Sequence, residues 1–466
     1  MSAVIFRYTE DLRVESHRGL ALAGEYGPVL PAYVMDRSSE SAFSHTPRKA
    51  GLVAKALHAL AESLEHQGSR LIFRRGPVGV SLRRLARAVD AHTVVWSARY
   101  DAPSLHADAR LQAELEEAGI RVCIVHDRPA LSPENLPGPA GMGYRSFAAY
   151  LPVWRAQVMD LDVGVTPKWL VCDLHSEPLP QVDGLGGSDI PLPDVANAGA
   201  MLEQFLAGLA LSYGSLAKTP AAHVTSRLGP MLSVGSLGAA HVVSRTQDCM
   251  REPLLLTEER ASLAEFLRSL ARRDFFYQLA WFNPETHDQV LQEKMRTFAF
   301  AQDHERLDAW RTGTTGFALV DAGMRQLRAT GWMHPYVARI VASFLCFDLG
   351  VDWRIGRAEF ARHALDDETA LATGNWQWAA GVGADLAQFP RIFHPERQRL
   401  RYDPDGRYVR QWIPELAHDA LMPMQSDQLD LPLFGERQYP APIHSHEQAA
   451  RAFLGRYRAH LIAHAS

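Results

Sequence analysis

The sequence predicts an α/β protein in which an N-terminal domain with a parallel, Rossmann-like sheet precedes an all-α domain. Short β-branched or apolar runs alternate with helical patterns over residues 1–130, which is typical of a parallel sheet covered by helices. After about residue 200, apolar residues instead recur at a spacing of three and four, which indicates amphipathic helices. The 466 residues are enough for two or three domains, each with its own core.

Five short runs are the predicted strands: residues 3–8, 29–35, 70–73, 93–96 and 121–125. The clearest predicted helix begins after Thr46, a good N-cap residue, with Pro47 in the first helical position. Leu52, Leu57 and Leu60 then recur at helical spacing. No G-x-G-x-x-G sequence follows any of the five runs, so the dinucleotide-binding fingerprint is absent.

Pro- and Gly-rich segments separate the two kinds of pattern. Residues 131–200 contain stretches such as SPENLPGPAGMG and SEPLPQVDGLGGSD, which are typical of a connection with little regular structure. We therefore expect three parts: an α/β domain at 1–130, an interdomain linker at 131–200 and a helical domain at 201–466.

Charge and cysteine content exclude several classes of protein. The 48 basic and 53 acidic residues give a formal charge of −5, so any contact with nucleic acid must come from a local basic patch. No run of about 18 apolar residues is present, and the first residues lack a signal-peptide pattern. The four cysteines are far apart and form no metal or disulfide motif, so we expect reduced thiols in a cytoplasmic protein without a membrane partner.

Tryptophan is concentrated in the helical region. Large aromatic side chains dominate protein cores, so core packing accounts for any one of them equally well. Their clustering also suits a flat ligand or a path for electrons. The tryptophans of this region are Trp281, Trp310, Trp332, Trp353, Trp376, Trp378 and Trp412.

Two further segments suggest a ligand, and a third does not. In HVTSRLGPMLSVGSL, Thr225 and Ser226 are suited to cap the following helix, and with Arg227 they would favour a phosphate group; an ordinary capped helix is the alternative. In GNWQWAAGVG, the glycines suit either close packing against a planar ligand or a tight turn. His444 and His446 have no carboxylate or third histidine at metal spacing, so a solvated turn is expected there.

Five segments resemble, in order and spacing, those of the cryptochrome/photolyase flavoproteins, and the resemblance covers nearly the whole chain. They are TSRLGPMLSVGSL, TGFALVDAGMRQLRATGWMH, ASFLCFDLGVDWR, GNWQWAAGVGAD and RIFHPERQRLRYDPDGRYVRQWIPEL. The GNWQWAAGVG stretch is closest to the DASH branch of the family. The resemblance implies an N-terminal α/β domain and a helical domain that holds one FAD in a folded, U-shaped form.

The resemblance also implies which residues contact FAD. Asp366, Asp367 and Glu368 would lie along the flavin side, where carboxylates polarise or protonate the ring only if burial tunes their pKa. Trp376 would lie near the ring and, with Trp353, would match the first two members of the family's electron-transferring tryptophan chain. The residues implied to contact FAD chiefly at its phosphates are Tyr213, Thr225, Ser226, Arg227, Leu228 and Gly229.

Two departures from the family pattern concern the flavin directly. Ala372 stands where the family has a polar residue that faces flavin N5, and a methyl group cannot form that hydrogen bond. Ala338 replaces the arginine that usually pairs with the carboxylate at Asp366. We therefore expect Asp366 to have a raised pKa or to take Arg339 as its partner.

A third departure concerns electron transfer. Phe300 falls where the family has the third, surface-exposed tryptophan of the chain. Because phenylalanine is much harder to oxidise than tryptophan, photoreduction through the usual three-tryptophan route should be impaired. The side chains that could instead be oxidised at the end of the electron-transfer path are Tyr336, Tyr277 and Trp281.

The substrate pocket is also altered. Ser269 and Arg272 stand where dimer-repairing members have a glutamate that hydrogen-bonds the lesion and a tryptophan that stacks on it. Trp378 and Arg391, which resemble lesion-stacking and DNA-contacting residues, remain. The resemblance therefore implies a pocket that is remodelled and not erased.

Three more replacements lie after the WMH motif. Pro335 and Tyr336 stand in place of the family's Asn-Arg pair, and Arg339 replaces a methionine that lines the substrate pocket. The histidine pair of (6-4)-lesion repair is missing for the same reason. The antenna is open: Asp101 stands where folate-binding relatives have glutamate, which weakly favours methenyltetrahydrofolate, while a deazaflavin, a second flavin or no antenna remain alternatives.

Three hypotheses follow. The first is a cryptochrome-like FAD protein that absorbs blue light and signals to an unknown partner or transfers electrons. The second is a deoxyribodipyrimidine photolyase that repairs UV-induced dimers in damaged or single-stranded DNA. The third is a DNA-binding or scaffold protein without photochemistry. A basic run that suits phosphate contacts, or an ordinary solvated face, consists of Arg397, Arg399, Arg401, Arg407 and Arg410.

Overall fold

The computed structural model describes residues 2–161, 163–181, 191–300, 304–385, 390–416 and 439–464. The chain forms two compact units, each built from separate stretches of sequence. The sheet unit comprises Met1–Gly214, Thr225–His287 and Leu365–Leu371, and the helical unit comprises Ser215–Val224, Asp288–Ala364 and Ala372–Ser466. Much of the sequence that follows the predicted linker thus belongs to the same unit as the sheet.

The sheet unit contains a five-stranded parallel sheet with the order β3-β2-β1-β4-β5. The strands are β1 (Ala3–Tyr8), β2 (Val29–Met35), β3 (Ile72–Arg75), β4 (Ala91–Ser97) and β5 (Arg121–Val125). The predicted α/β class is confirmed, and each predicted strand is present. β3 begins two residues later than predicted, because Ile72 is the first residue that pairs with β2, at Ala32. Every residue of β1 and β2 is buried, as expected where helices cover both faces.

Helices of the sheet unit flank these strands. The helix predicted after Thr46 is confirmed, and it begins at Pro47 because the fixed φ of proline suits the first helical turn. The helices up to residue 287 are α1 (Arg18–Tyr26), α2 (Arg37–His45), α3 (Pro47–His66), α4 (Val78–Val89), α5 (Ala102–Glu117), α6 (Phe147–Gln157), α7 (Ala198–Ala207), α8 (Tyr213–Leu216), α9 (Gly229–Val234), α10 (Ala239–Arg251) and α11 (Thr257–Phe282).

The segment expected to be a linker packs against the sheet unit. Its helix α6 lies on α11, where the indole nitrogen of Trp154 donates to Asp274 at 2.8 Å. Further along, the backbone of Val29 in β2 donates to Lys168 at 2.8 Å and accepts from Leu170 at 2.9 Å. These contacts fix two parts of the segment despite its proline and glycine content.

The helical unit has a core of apolar and aromatic side chains, among them Trp310, Val337, Leu345 and Trp353, each almost fully buried. A π-helical stretch, Phe344–Asp348, continues directly from α14. None of the helices in the described ranges is both long and apolar enough to cross a membrane. The helices from residue 304 onward are α12 (His304–Thr312), α13 (Ala318–Thr330), α14 (Pro335–Ser343), α15 (Trp353–His363), α16 (Thr369–Ala379), α17 (Pro395–Tyr402), α18 (Arg407–Trp412) and α19 (His446–Ala463).

Buried polar side chains fill the carboxyl ends of β1 and β4, the point in such a sheet where ligands often bind. Asp11 accepts from Ser97 at 2.5 Å and lies 3.1 Å from His17 Nε2. The other ring nitrogen of His17 caps α1 by accepting from Gly19 N at 3.1 Å. Asp127 accepts from Arg13 at 2.7 Å. Because these donors and acceptors satisfy one another, the cluster is a structural one.

We predict that Asp127→Asn lowers the free energy of unfolding by about 3 kcal/mol at neutral pH, because Arg13 keeps a buried charge without its counter-ion. Burial alone would raise the pKa of Asp127, but Arg13, His17 and Arg18 hold it well below the usual range. A depressed folded pKa stabilises the protein above the unfolded pKa of about 3.9, and this contribution is lost as the pH falls below that value.

Urea denaturation of both proteins at neutral pH and near pH 3 measures this effect, since the difference between them should shrink in acid. Asp90→Asn is the matched control, because the Asp90 side chain is 92% exposed and should change stability little. Equal losses in the two variants at neutral pH would contradict the assignment.

Candidate functional site

The loop 225–229 has a geometry different from the predicted helix cap. α9 begins at Gly229 with Leu228 as its N-cap, so the prediction that Thr225 and Ser226 cap this helix is wrong. Ser226 instead accepts a hydrogen bond from the backbone of Leu228 at 3.4 Å. Arg227 adopts a left-handed backbone with φ of 53°, which turns the chain between Ser226 and the helix.

Two features of this loop suit a bound group. The hydroxyl of Thr225 is buried and has no hydrogen-bond partner among the described residues, although a buried hydroxyl normally has one. Gly229 allows close approach of its neighbour, because an added Cβ would lie 2.8 Å from Asp366 Oδ2. Tyr213 is half-buried and packs edge-on against Phe266 at 5.5 Å between ring centroids.

Asp366 and Glu368, two carboxylates of the sheet unit, are in opposite electrostatic states. Burial raises the pKa of Asp366 to about 6, which agrees with the prediction of a raised value. Glu368 is fully buried, but Arg273 and Arg128 outweigh that burial and lower its pKa. Arg128 and Arg273 donate to Glu368 Oε2 at 2.5 and 2.9 Å, and the Tyr277 hydroxyl donates to the same oxygen.

Further hydrogen bonds hold the segment from residue 365 to 368. Lys49 of α3 donates to the Ser233 hydroxyl at 2.5 Å and to the backbone oxygen of Asp367 at 3.2 Å. The Ser233 hydroxyl lies 3.1 Å from the backbone oxygen of Leu365 and donates there or to Pro230. Sequence reasoning did not identify Arg128, Arg273 or Lys49, because no local pattern shows that they meet this segment.

In the helical unit, Trp376 of α16 lies in a closely packed aromatic group. Its ring centroid is 5.0 Å from that of Phe360 and 6.5 Å from that of Trp310, both nearly edge-on. Trp310 is fully buried and donates from its indole nitrogen to the backbone oxygen of Val341 at 3.1 Å. Ala372 lies one helical turn before Trp376 and is half-buried.

Trp353, the second predicted member of the electron path, is fully buried at the start of α15. The guanidinium of Arg354 lies over its ring at 4.9 Å from the centroid. Phe300 packs edge-on against Phe298 at 5.1 Å. Phe300, which stands where the family has the third tryptophan, is thus part of an ordinary aromatic contact.

The predicted DNA-side residues of the helical unit form a stacked group. The Arg339 guanidinium lies over the rings of Tyr336, at 4.9 Å, and Trp378, at 5.4 Å from the centroids. Tyr336 also contacts Tyr402 at 5.4 Å between centroids. Arg391 is exposed. Arginine, tyrosine and tryptophan thus cover one another at this surface.

Two predicted DNA-side features have structural explanations. Arg399, in the basic run, is buried and paired with Glu396 at 2.6 Å, so it is not part of an exposed basic face. Arg272, in the sheet unit, lies over the ring of Phe147 at 4.0 Å.

Asp101, the weak antenna signal, caps α5 by accepting from Ser104 N at 2.9 Å.

The solvated turn predicted at His444 and His446 is wrong. His446 is buried, and its Nδ1 lies 2.5 Å from Asp348 Oδ1. His444 Nε2 lies 3.5 Å from the same oxygen, and the ring of His394 is 4.5 Å from that of His446. A carboxylate and a third histidine are therefore present, but they come from distant parts of the sequence, where local spacing cannot show them.

We predict that Gly356→Ala destabilises the helical unit, because an added Cβ would overlap the Trp376 ring and the Leu345 side chain. Overpacking of this kind costs about 1–3 kcal/mol. Gly199→Ala is the control, since nothing lies within 4 Å of an added Cβ at that helical position. Urea denaturation should show a loss only in the first variant, and an unchanged midpoint in both would rule out the close contact.

Comparison with known proteins identifies the family. Residues 3–169 match the family model described as DNA photolyase, and residues 266–459 match the FAD binding domain of DNA photolyase. The chain is 32% identical to deoxyribodipyrimidine photo-lyase of Halobacterium salinarum, over 95% of this chain and 96% of that protein. It is 29% identical to cryptochrome-2 of Arabidopsis thaliana, over 88% of this chain and 70% of that protein.

Among solved structures, a bacterial class III photolyase from Agrobacterium tumefaciens is similar, with a TM-score of 0.84 and 30% identity, over 99% of this chain and 98% of that one. This similarity extends over both the sheet-bearing and the helical parts of the sequence. Together with the matches to both family models and to the Halobacterium salinarum protein, it shows that the chain belongs to the DNA photolyase and cryptochrome family and has its FAD-binding domain.

Proposed function

We propose that the protein is a cryptochrome-like FAD protein that responds to blue light by electron transfer and does not repair pyrimidine dimers. The observation that carries the proposal is the position of Arg339, whose guanidinium covers a face of Trp378. In the family resemblance, Trp378 corresponds to a residue on which a lesion stacks. A lesion would have to displace this cation from the indole before it could use that face.

The second repair position gives independent support. The hydroxyl of Ser269 donates to the backbone oxygen of Phe266 at 2.6 Å, in the same helix. One short hydroxyl that is already bonded to the backbone cannot supply the two acceptor oxygens of a carboxylate. The guanidinium of Arg272 lies over the Phe147 ring and does not provide the large aromatic face of a tryptophan.

The residues of the sheet unit fit the phosphate side of FAD. The hydroxyl of Thr225, which has no partner in the described part of the chain, would donate to a phosphate oxygen, and Gly229 lets Asp366 lie close to the backbone of this loop. Arg227, exposed next to these residues, would supply a positive charge. When bound, FAD would supply the absorption of blue light and one-electron chemistry.

Asp366 is suited to exchange a proton near neutral pH, because its pKa is raised to about 6. By the family resemblance, Trp376 is one electron donor, in the helical unit, and Trp353 is the next member of its path. The ring of Trp310 is in contact with that of Trp376. The guanidinium of Arg354 lies over the Trp353 ring, but it is ion-paired with Asp352 at 2.9 Å, so it adds little net positive charge there.

The second candidate is a deoxyribodipyrimidine photolyase. It is favoured by Trp378 and Arg391, which are retained, and by the exposed side chains of Arg397 and Arg401 on the same part of the sequence. Exposed arginines of this kind can neutralise phosphates of single-stranded or damaged DNA. The names of the relatives support both candidates.

Illumination of the purified, flavin-containing protein with a dimer-containing oligonucleotide distinguishes the candidates. We expect blue light to bleach the flavin absorption while dimer loss stays at the level of the dark control. Dimer loss above that level would establish the photolyase instead. Protein that binds DNA but carries no flavin would support the third hypothesis, a protein without photochemistry.

We predict that Arg339→Met increases discrimination for a dimer-containing over an undamaged oligonucleotide several-fold, because it uncovers the Trp378 ring. Stacking of one base on an aromatic side chain contributes about 1–3 kcal/mol. Binding is measured by fluorescence anisotropy at two salt concentrations. Arg397→Met, which removes an exposed arginine, should weaken binding to both oligonucleotides alike and reduce the salt dependence. Strong discrimination by the wild-type protein would show that Arg339 does not block the ring.

We also predict that Ala372→Asn prolongs the light-induced change in flavin absorption, because the new amide can hydrogen-bond flavin N5. Transient absorption after a blue flash measures the decay. Ala372→Val, which changes size without adding a hydrogen-bonding group, is the control. If the asparagine and valine variants decay alike, Ala372 does not face N5.

A further inference from the structure

An aromatic cluster in the sheet unit surrounds Tyr100, which follows β4. Its ring is 4.6 Å from that of Tyr277 and 6.0 Å from that of Trp281, both edge-on. His126, which follows β5, lies 4.5 Å from the Trp281 ring. Tyr100, Tyr277 and His126 are buried, while Trp281 is partly exposed. The cluster therefore joins the interior of the unit to its surface through rings in contact.

Tyr100 has a base within hydrogen-bonding distance. Its hydroxyl lies 2.8 Å from His126 Nδ1, and the other ring nitrogen of His126 lies 3.7 Å from Glu134 Oε1. Burial lowers the pKa of His126, and Arg18 acts in the same direction, while Glu134 opposes both. A neutral imidazole can accept the phenol proton at Nδ1 while its Nε2–H faces Glu134, which is exposed to solvent.

Tyr277 is placed differently from Tyr100. Its hydroxyl donates to Glu368, a carboxylate whose pKa is lowered by Arg273 and Arg128, so this partner is a weak base. Arg128 and Arg273 donate to the same oxygen of that carboxylate, so a positive charge on the Tyr277 ring is unfavourable. Tyr100 can lose its proton to His126 and become a neutral radical.

The cluster also reaches the segment that corresponds to the flavin side. Ala370 is part of it, and Leu371 packs against it. Glu368, which Tyr277 contacts, is one of the three carboxylates that the family resemblance places along the flavin. The aromatic contacts thus begin at the residues expected beside the cofactor and end at a histidine and a carboxylate near the surface.

We propose that Tyr100 is a proton-coupled electron donor to the flavin, with Tyr277 as the intermediate ring and His126 as the proton acceptor. The inference rests on the proposed function, because the electron acceptor is the light-excited, oxidised flavin. One electron leaves Tyr100 through Tyr277 to that acceptor. The O–H bond of Tyr100 breaks, an N–H bond forms at His126 Nδ1, and the resulting imidazolium pairs with Glu134. In the dark, the returning electron and proton restore the phenol.

This role differs from that of an ordinary core tyrosine, and the chain offers a matched comparison. Tyr8 is equally buried in the same unit, but its hydroxyl lies 3.2 Å from the backbone oxygen of Arg13, which cannot accept a proton. Tyr8→Phe is therefore the control for Tyr100→Phe. A role in packing alone would make the two variants alike in photochemistry.

The test uses the full-length, flavin-containing protein frozen under blue light and examined by electron paramagnetic resonance. We expect a tyrosyl signal that narrows when the tyrosine rings are deuterated, that persists in Tyr8→Phe and that is lost in Tyr100→Phe. The yield of flavin photoreduction should fall several-fold in Tyr100→Phe and in His126→Gln. In the dark, the ¹⁵N shifts of His126 should show the proton on Nε2, a result that does not depend on photochemistry.

The outcomes separate the two proposals. If the flavin bleaches with equal yield in all variants and no tyrosyl signal forms, the Tyr100 relay is overturned while the proposed function stands. If the bound flavin does not bleach in the wild-type protein, both are overturned. Should Tyr100→Phe fold poorly, His126→Gln still decides, since it retains the phenol and removes only its base.

Discussion

The buried ion cluster at Glu368 is the constraint on which the candidate site depends. A carboxylate with no access to water can stay ionised only if cations and hydrogen-bond donors surround it, and Arg128, Arg273 and Tyr277 do so here. Arg128 follows β5 and Arg273 lies in α11, so three distant parts of the chain meet at one oxygen. This contact holds residues 365–371 in the sheet unit, and α16, which carries Ala372 and Trp376, continues from them.

The contrast between Asp366 and Glu368 shows how the same segment serves structure and chemistry. Glu368 has two arginines and is fixed as an anion, whereas Asp366 has no such pair among the described residues, and burial dominates its pKa. A group that is neither firmly charged nor firmly neutral near physiological pH is suited to proton exchange. Glu368 thus holds the segment in place, whereas Asp366, two residues earlier, is proposed to act on the flavin.

The sequence predicted those features that depend on local periodicity. β1 and β2 were predicted well because their residues are buried on both faces, and α3 because Thr46 and Pro47 mark its start. The predictions that failed depend on which partner a polar side chain selects: Ser226 bonds within its own loop and Arg399 is neutralised by Glu396 in the same helix. Only the third partner is distant, since Asp348 reaches His446 across nearly a hundred residues. The family resemblance predicts Asp366, Asp367 and Glu368 as the flavin-side residues, but the arginines that contact Glu368 have no local signal. The assignment of individual residues to FAD and DNA stays a prediction.

The position of charge around each oxidisable ring explains why an electron path in this chain should differ from the usual one. In the helical unit, Arg354 lies over Trp353, the buried Trp310 donates its N–H to a backbone oxygen that cannot take a proton, and Phe300 ends the series. The indole N–H of Trp353 has no hydrogen-bond acceptor within the ranges that the structure describes, so no base is placed there to take its proton. Tyr100 has the opposite surroundings, because an imidazole accepts its proton and a carboxylate faces that imidazole. Phenol oxidation that is coupled to proton loss leaves no buried charge on the ring, so the radical of longest life should form at Tyr100.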